Sequence, residues 1–467
     1  MAAFPELKRA LFAWVNEAID QLSHDNAARD YTTDLGHWRC DSDGVFRDRE
    51  RIIDVWKRTA VNSLFELPSW TAVLDVLHED SRLYDQADAF IGTLQGGHQF
   101  EATSIGRRVL PRPNELDRLT EVFEERYEEF DIFFATNMIE YIAVWPLPGL
   151  TCTMLPLQLE FAVELDAMSD RELGMALDTE IVRTTFPRER LFNPGTEHRT
   201  CLRYRYSLPK VVGDINRDKM LHDGEQRQRT LLEIESRLKE ALALILPGAV
   251  NVAGSFGVIS RPESPLGGAV GFQQATVPQG PRLRRAHMSN AQASELKEIW
   301  HLLCRPGLLK RNKGLALAIR RLSYQAQREQ AEDELLDTMI AAEALYLTGM
   351  SKAADRGELR YRLSLRAALW ADPEQVGFTK REVFSIMKSV YDTRSAIAHG
   401  GAPQSEDMKV RGQKVPLEEL ARTAKAIIVA GCRAALTEAT FPEGKWPPDW
   451  DGTALGDLPG DQRRRSY

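Results

Sequence analysis

Arg394 and His399 stand in the run YDTRSAIAHG, and together they offer two kinds of chemistry. Arginine is always charged and binds carboxylate or phosphate through a planar fork of donors. Histidine is the side chain that gains or loses a proton near neutral pH. The spacing alone does not single them out, because Arg217 and His222 (RDKMLH) and Arg282 and His287 (RLRRAH) repeat it. Context separates the three. The first pair lies in a polar stretch without an apolar stripe, and the second in a linker just past Pro281. Only the third follows a Tyr391-Asp392 pair at the end of an amphipathic helix and is followed at once by Gly400 and Gly401.

Four helices must position this pair. In the segment 380–399, Val383, Ile386, Met387, Val390, Ile397 and Ala398 share one face at about 100° per residue, with Arg394 near its centre. A guanidinium in such a place either bridges carboxylates or lines a cleft between subunits. The glycines end the helix, because glycine accepts the left-handed conformation of a helix C-terminus. His399 therefore faces the partial negative charge of free carbonyls. On an ideal helix it points about 140° away from Arg394, so convergence requires the end to unwind, the Arg to reach, or a second subunit to complete the site. Upstream, the helix 333–347 carries Leu336, Met339, Ile340, Ala344 and Leu347 on one face, with Glu343 in the same stripe. A carboxylate buried alone costs several kcal/mol, so Glu343 needs a partner. The helix 358–370 offers Arg366 among Leu363, Ala367 and Trp370. A Glu343–Arg366 ion pair is one reading, and a role for Glu343 in an active site is the other. A further helix, 315–327, carries the stripe Leu315, Ile319, Leu322 and Ala326.

The segments ALAIRRLSYQ, LLDTMIAAEALYL, YRLSLRAALW and VYDTRSAIAHG, spread over roughly residues 305–435, resemble the ApeA-like branch of the HEPN superfamily. The resemblance implies an α-helical bundle, commonly dimeric, in which two Arg-x4-His motifs line a composite cleft that cuts RNA without a metal or other cofactor. His399 would then act as general base or acid on the ribose 2′-hydroxyl, and Arg394 would stabilise charge developing on the phosphate. Ser395 either bonds the phosphate or caps its own backbone, Glu343 orients Arg394 or His399, Arg366 supports Glu343, and Tyr391 and Asp392 belong to the motif with a structural role. The setting implied is a bacterial anti-phage defence or toxin effector of the abortive-infection kind. Its substrate would be RNA, its form a homodimer, and a phage-derived or cellular trigger would act on the N-terminal region. The alternative is a non-catalytic HEPN module that binds nucleotide, RNA or a protein partner. A third reading makes Arg394 and His399 structural and places the function in the N-terminal region.

The rest of the chain frames this domain. A length of 467 residues exceeds one hydrophobic core and predicts two or three domains. Ordinary apolar and charged contents, 43% and 27%, exclude wholesale disorder. The net charge of −8 argues against coating nucleic acid by global attraction and leaves only local basic clusters, such as Arg282, Arg284 and Arg285, or Lys310, Arg311 and Lys313. Five scattered cysteines without a CxxC fit reduced thiols, and His37 and Cys40 in HWRC lack the second pair that a zinc site needs. P-loop, GxSxG and GxGxxG motifs are missing. With no membrane-length apolar run, a cytoplasmic protein is expected. The fold class expected is α+β: a mixed region over 1–285, divisible near 137, then an all-α HEPN bundle over 286–440 and a poorly ordered tail over 441–467. Within the first region, helices are expected at 5–23, 114–136, 169–178 and 225–246, and largely over 46–95, with 24–44 irregular. Strands are expected in MIEYIAVWPL, LTCTMLPLQLEFAVEL and NVAGSFGVI.

Overall fold

The computed structural model describes residues 2–40, 46–79, 90–93, 96–99, 102–170, 172–173, 191–192, 199–209, 211–212, 217–248, 250, 252, 256–261, 285–348, 358–401, 408–440 and 446–455. The expected helix over 169–178 and the Gly- and Pro-rich run 262–281 lie largely or wholly outside them. So do the side chains of His37, Cys40, Arg217, His222, Arg282, Arg284 and Ala326.

The chain opens with α1 (Pro5–His24), whose buried face is Leu7, Leu11, Trp14, Val15, Ala18, Ile19 and Leu22, the three-to-four spacing read from the sequence. Two strands follow, β1 (Arg29–Cys40) and β2 (Phe46–Trp56), paired antiparallel with Arg29 opposite Trp56. This hairpin corrects the expectation of an irregular 24–44 and a helical start at 46. In FRDRERIIDVW charge sign alternates rather than hydropathy, so a search for apolar periodicity passes over it. Short helices α2 (Arg58–Ser63), α3 (Pro68–Glu79) and α4 (Ala102–Val109) lead to α5 (Leu119–Ala135). Trp70, Val73, Ile105, Phe123, Tyr127 and Phe130 close one core with α1. Asp131 of α5 ties down the start of α1 by accepting from the amides of Ala3 and Phe4 at 2.6 and 2.9 Å.

A five-stranded antiparallel sheet comes next. Its strands are β3 (Met138–Pro146), β4 (Leu157–Glu160), β5 (Val163–Ala167), β6 (Thr200–Pro209) and β7 (Phe256–Arg261), in the spatial order β7-β3-β6-β5-β4. The sequence expectation named all but β6. On β6, Arg203 is buried between Glu172, at 2.6 Å, and Asp166. Burial pushes the Glu172 carboxyl up, but hydrogen bonds from Arg203 and Ser169 and the Arg203 charge outweigh it and hold the group below the usual carboxylate range.

The helical part follows: α6 (Arg217–Ile245), α7 (Asn290–Cys304), α8 (Lys313–Ser323), α9 (Ala331–Tyr346), α10 (Leu359–Trp370), α11 (Lys380–Ala398), α12 (Leu417–Glu438) and α13 (Trp450–Leu455). α6 packs on both α7 and α8. One hydrophobic core joins Trp145 and Leu202 of the sheet, Leu238 and Leu242 of α6, and the helices through to Trp450, so packing is continuous across residue 285. α9 lies in its middle, in contact with α8, α11 and α12. Glycines permit the close approach: a Cβ on Gly314 would collide with Thr348 and the Ala344 carbonyl, and one on Gly431 with the Tyr346 hydroxyl. The fold is therefore α+β, with antiparallel sheets in the first part and helices in the last. No helix among the described residues is long and apolar enough to cross a membrane.

Within the expected tail over 441–467, the described residues 446–455 depart from the expectation. Trp446 and Trp450 are buried, and with Trp370 they form an edge-to-face cluster. The Trp446 indole N–H donates to the Leu345 carbonyl at 3.2 Å. Proline and aspartate in KWPPDW suggested an open tail, but two aromatic side chains bury enough area to anchor the stretch.

Candidate functional site at the end of the eleventh helix

α11 starts at a capping box, in which the Thr379 hydroxyl accepts the Glu382 amide at 3.3 Å and the Glu382 carboxylate accepts the Thr379 amide at 2.8 Å. Val383, Ile386, Met387 and Val390 are 0–1% exposed, as expected for the packing face. That face then leaves the core. Arg394, next along it, has a side chain 30% exposed, Ile397 is half-buried and Ala398 exposed. Arg394 thus stands where an apolar face meets water, its side chain partly exposed.

The partner of Arg394 is Glu343 of α9, with Nη2 to Oε1 at 3.5 Å and the Glu343 side chain 32% exposed. This corrects the Glu343–Arg366 pairing expected from the sequence. The reason is a rotation of α9. Its deepest positions are Leu335, Met339, Ala342, Leu345 and Tyr346, whereas Leu336, Ile340, Glu343, Ala344 and Leu347 form a half-buried flank. Glu343 is on the edge facing α11 and not in the centre of the bundle. Arg366 is built into the packing instead: it donates to the Tyr346 carbonyl at 2.7 Å and lies 5.3 Å over the Trp450 ring. A cation there satisfies the C-terminal end of α9.

The remaining motif residues divide between scaffold and surface. Asp392 pairs with Arg360 of α10, and Tyr391 packs against the core. Thr393, whose hydroxyl donates to the Ser389 carbonyl at 2.9 Å, is buried beside them. Ser395 is half-buried, and its carbonyl accepts the His399 amide at 3.2 Å. His399 is the C-cap, exposed, at φ −94° and ψ 11°. Gly400 follows at φ +74° and donates to the Ile397 carbonyl at 3.0 Å, and Gly401 donates to the Ala396 carbonyl at 2.9 Å. These two bonds make a Schellman cap. The helix consequently stays regular up to His399, and the roughly 140° between the directions of Arg394 and His399 persists within one chain. Unwinding of the end does not bring them together.

The other two Arg-x4-His runs have different surroundings. Arg217 begins α6, and His287 lies in a short strand where its Nδ1 is 3.0 Å from the Thr151 hydroxyl. Among the described residues no group of three or more His, Cys, Asp or Glu side chains could hold a metal ion. In comparison with known proteins, no family model, no curated sequence and no solved structure matches the chain.

Proposed function

We propose that the C-terminal helical part is a metal-independent RNA endonuclease of the HEPN type, acting as a bacterial anti-phage defence or toxin effector. The observation that carries the reading is Arg394, a cation where a packing face meets water, partly exposed and held by Glu343 only at 3.5 Å. A charge-assisted hydrogen bond is closer, about 2.7–2.9 Å, so an incoming phosphate competes readily for this guanidinium. His399, exposed and held by a rigid cap, is the proton-transfer group. In the reaction the ribose 2′-oxygen attacks phosphorus, its proton passes to an imidazole, and the 5′-oxygen leaves with a proton, giving a 2′,3′-cyclic phosphate. Arg394 meets the charge that builds on the phosphate oxygens. Since one chain keeps Arg394 and His399 apart in direction, the complete site takes its histidine from a second copy, in a two-fold arrangement that places the exposed end of α11 at the interface.

Purified protein incubated with end-labelled RNA in EDTA is expected to yield 2′,3′-cyclic phosphate ends. His399→Ala should lower the rate by roughly 10²–10⁴-fold, and Arg394→Ala by about 10²-fold or more, without loss of folding. Equal cleavage by all three proteins would sink the assignment. Growth arrest on overexpression, relieved by His399→Ala, covers the case of a missing trigger. Absence of both effects would favour a non-catalytic binding module.

A further inference from the structure

A cavity of about 840 Å³ opens in the N-terminal part, between the end of β2, α2, the end of α4 and α5. Arg58, Arg107, Arg108, Arg112 and Arg126 line it, against two acids, Glu125 and Glu129. In a chain of net charge −8 this is a local inversion of sign. Two of the five arginines are neutralised in place. Arg126 pairs with Glu115 at 2.7 Å and donates to the Leu110 carbonyl, and Arg108 lies 3.5 Å from Glu129. Arg58, Arg107 and Arg112 have no carboxylate partner among the described residues. Arg107 is steadied by the Asn62 side-chain oxygen at 3.2 Å and by the Phe65 ring, 5.5 Å below it.

The walls are of a different kind. Val55, Val61 and Pro111 contribute apolar surface, and Trp56, nearly buried, is fixed by its indole N–H donating to the Pro111 carbonyl at 2.8 Å. Ligand pockets for small molecules run to roughly 300–1,000 Å³ and combine apolar walls with a few placed polar groups. Guanidinium forks match phosphate oxygens in pairs. We infer that this cavity binds a phosphorylated small molecule of nucleotide size, its phosphates held by Arg58, Arg107 and Arg112 and its organic part against Val61 and Pro111. None of these residues belongs to the elements that carry Arg394 and His399, so the inference stands apart from RNA cleavage.

The test is calorimetric titration of the full chain with ATP, with inorganic tripolyphosphate and with a short single-stranded RNA. Arg58→Glu/Arg112→Glu reverses two exposed charges without touching the core, and Arg422→Glu, exposed on α12, is the control. ATP should bind at one site per chain and more tightly than tripolyphosphate, because only ATP meets the apolar wall. The double variant should weaken ATP by at least about tenfold, with the control within about twofold, since hydrogen bonds to charged groups each contribute enough for such a loss. The inference is overturned if ATP does not saturate below roughly 1 mM, if the double variant binds it as wild type does, or if tripolyphosphate binds as tightly. RNA bound more tightly than ATP, with the same sensitivity to the double variant, would also overturn it in favour of a polynucleotide surface.

Discussion

Glu334 and Glu343 stand near opposite ends of α9, and each meets a cation from a neighbouring helix. Glu334 meets Lys425 of α12 at 2.9 Å, with the two side chains 15% and 6% exposed. Glu343 meets Arg394 of α11 at 3.5 Å, with both about a third exposed. The first pair is surrounded by further polar anchors, including Gln325 bonded to Thr338 at 2.7 Å and Asp337 bonded to Arg328 at 2.7 Å. The second stands about one turn before the capped, exposed end of α11. A close, largely buried pair is committed to the fold, since removing either member takes away the charge that offsets the other. A long, wet pair costs little to open, which is what a group that must exchange a carboxylate for a substrate requires.

The largest effect expected from this contrast is at the dry pair. Lys425→Ala should destabilise the protein by roughly 3–5 kcal/mol, read as a lower denaturant midpoint, because the Glu334 carboxylate, only 15% exposed, loses the ammonium that offsets its charge. The combined Lys425→Met/Glu334→Leu should recover most of that loss, as apolar replacements of buried pairs commonly do. A single mutant as stable as wild type would erase the distinction between the two ends of α9. Acid probes the same principle in the sheet. The Glu172 carboxyl is depressed in the folded state, so its stabilisation is full above the unfolded value, near 4, and is lost as pH falls through the lower folded value. Arg203→Met should remove that acid dependence along with its stabilisation. An unchanged slope of melting temperature against pH below about 5 would show that other carboxylates dominate.

Gly400→Ala tests the cap that holds His399. The residue sits at φ +74° with open space around a Cβ, so the penalty is conformational alone, roughly 1–2 kcal/mol. Cleavage should fall with stability held above the working range by temperature, because the strain is relieved by moving His399. Retained activity in a destabilised variant would mean that the position of His399 does not matter.

How far the residues announce all this follows from the range of the physics involved. The face of α1 and the buried run Val383 to Val390 depend on local spacing alone, and they were legible. The Gly400 cap was legible for the same reason. The rotation of α9 was not, since two adjacent stripes, one through Leu335 and Leu345 and one through Leu336 and Leu347, are both apolar. The choice between them depends on how the neighbouring helices pack, where Gly314 and Gly431 leave no room for a Cβ against α9 and Thr348 just after it. Of the two arginines read beside Glu343, Arg366 and Arg394, the folded chain pairs it with Arg394. The burial of Trp446 and Trp450 depends on Trp370 far upstream, and the arginine cavity draws on four separate elements. Such features exist only after the chain has folded.

The smallest effect expected is the most informative about chemistry. A double-mutant cycle on Arg394→Ala and Glu343→Ala should give a coupling in stability of about 0.2–1 kcal/mol, the range of ion pairs in contact with water. Each single variant should melt within a few degrees of wild type, because both side chains are about a third exposed. Cleavage should behave differently. Glu343→Gln keeps the shape and removes the charge, so it frees Arg394 without leaving a hole. If Glu343 merely tethers the guanidinium, Glu343→Gln should bind RNA as tightly as wild type or more so, with KM lowered. If it orients Arg394 for the transition state, kcat should fall while KM holds. A coupling of about 3 kcal/mol or more would place this pair with Lys425 and Glu334. Arg394 would then be a structural residue, and the comparison between the two ends of α9 would no longer mark a site.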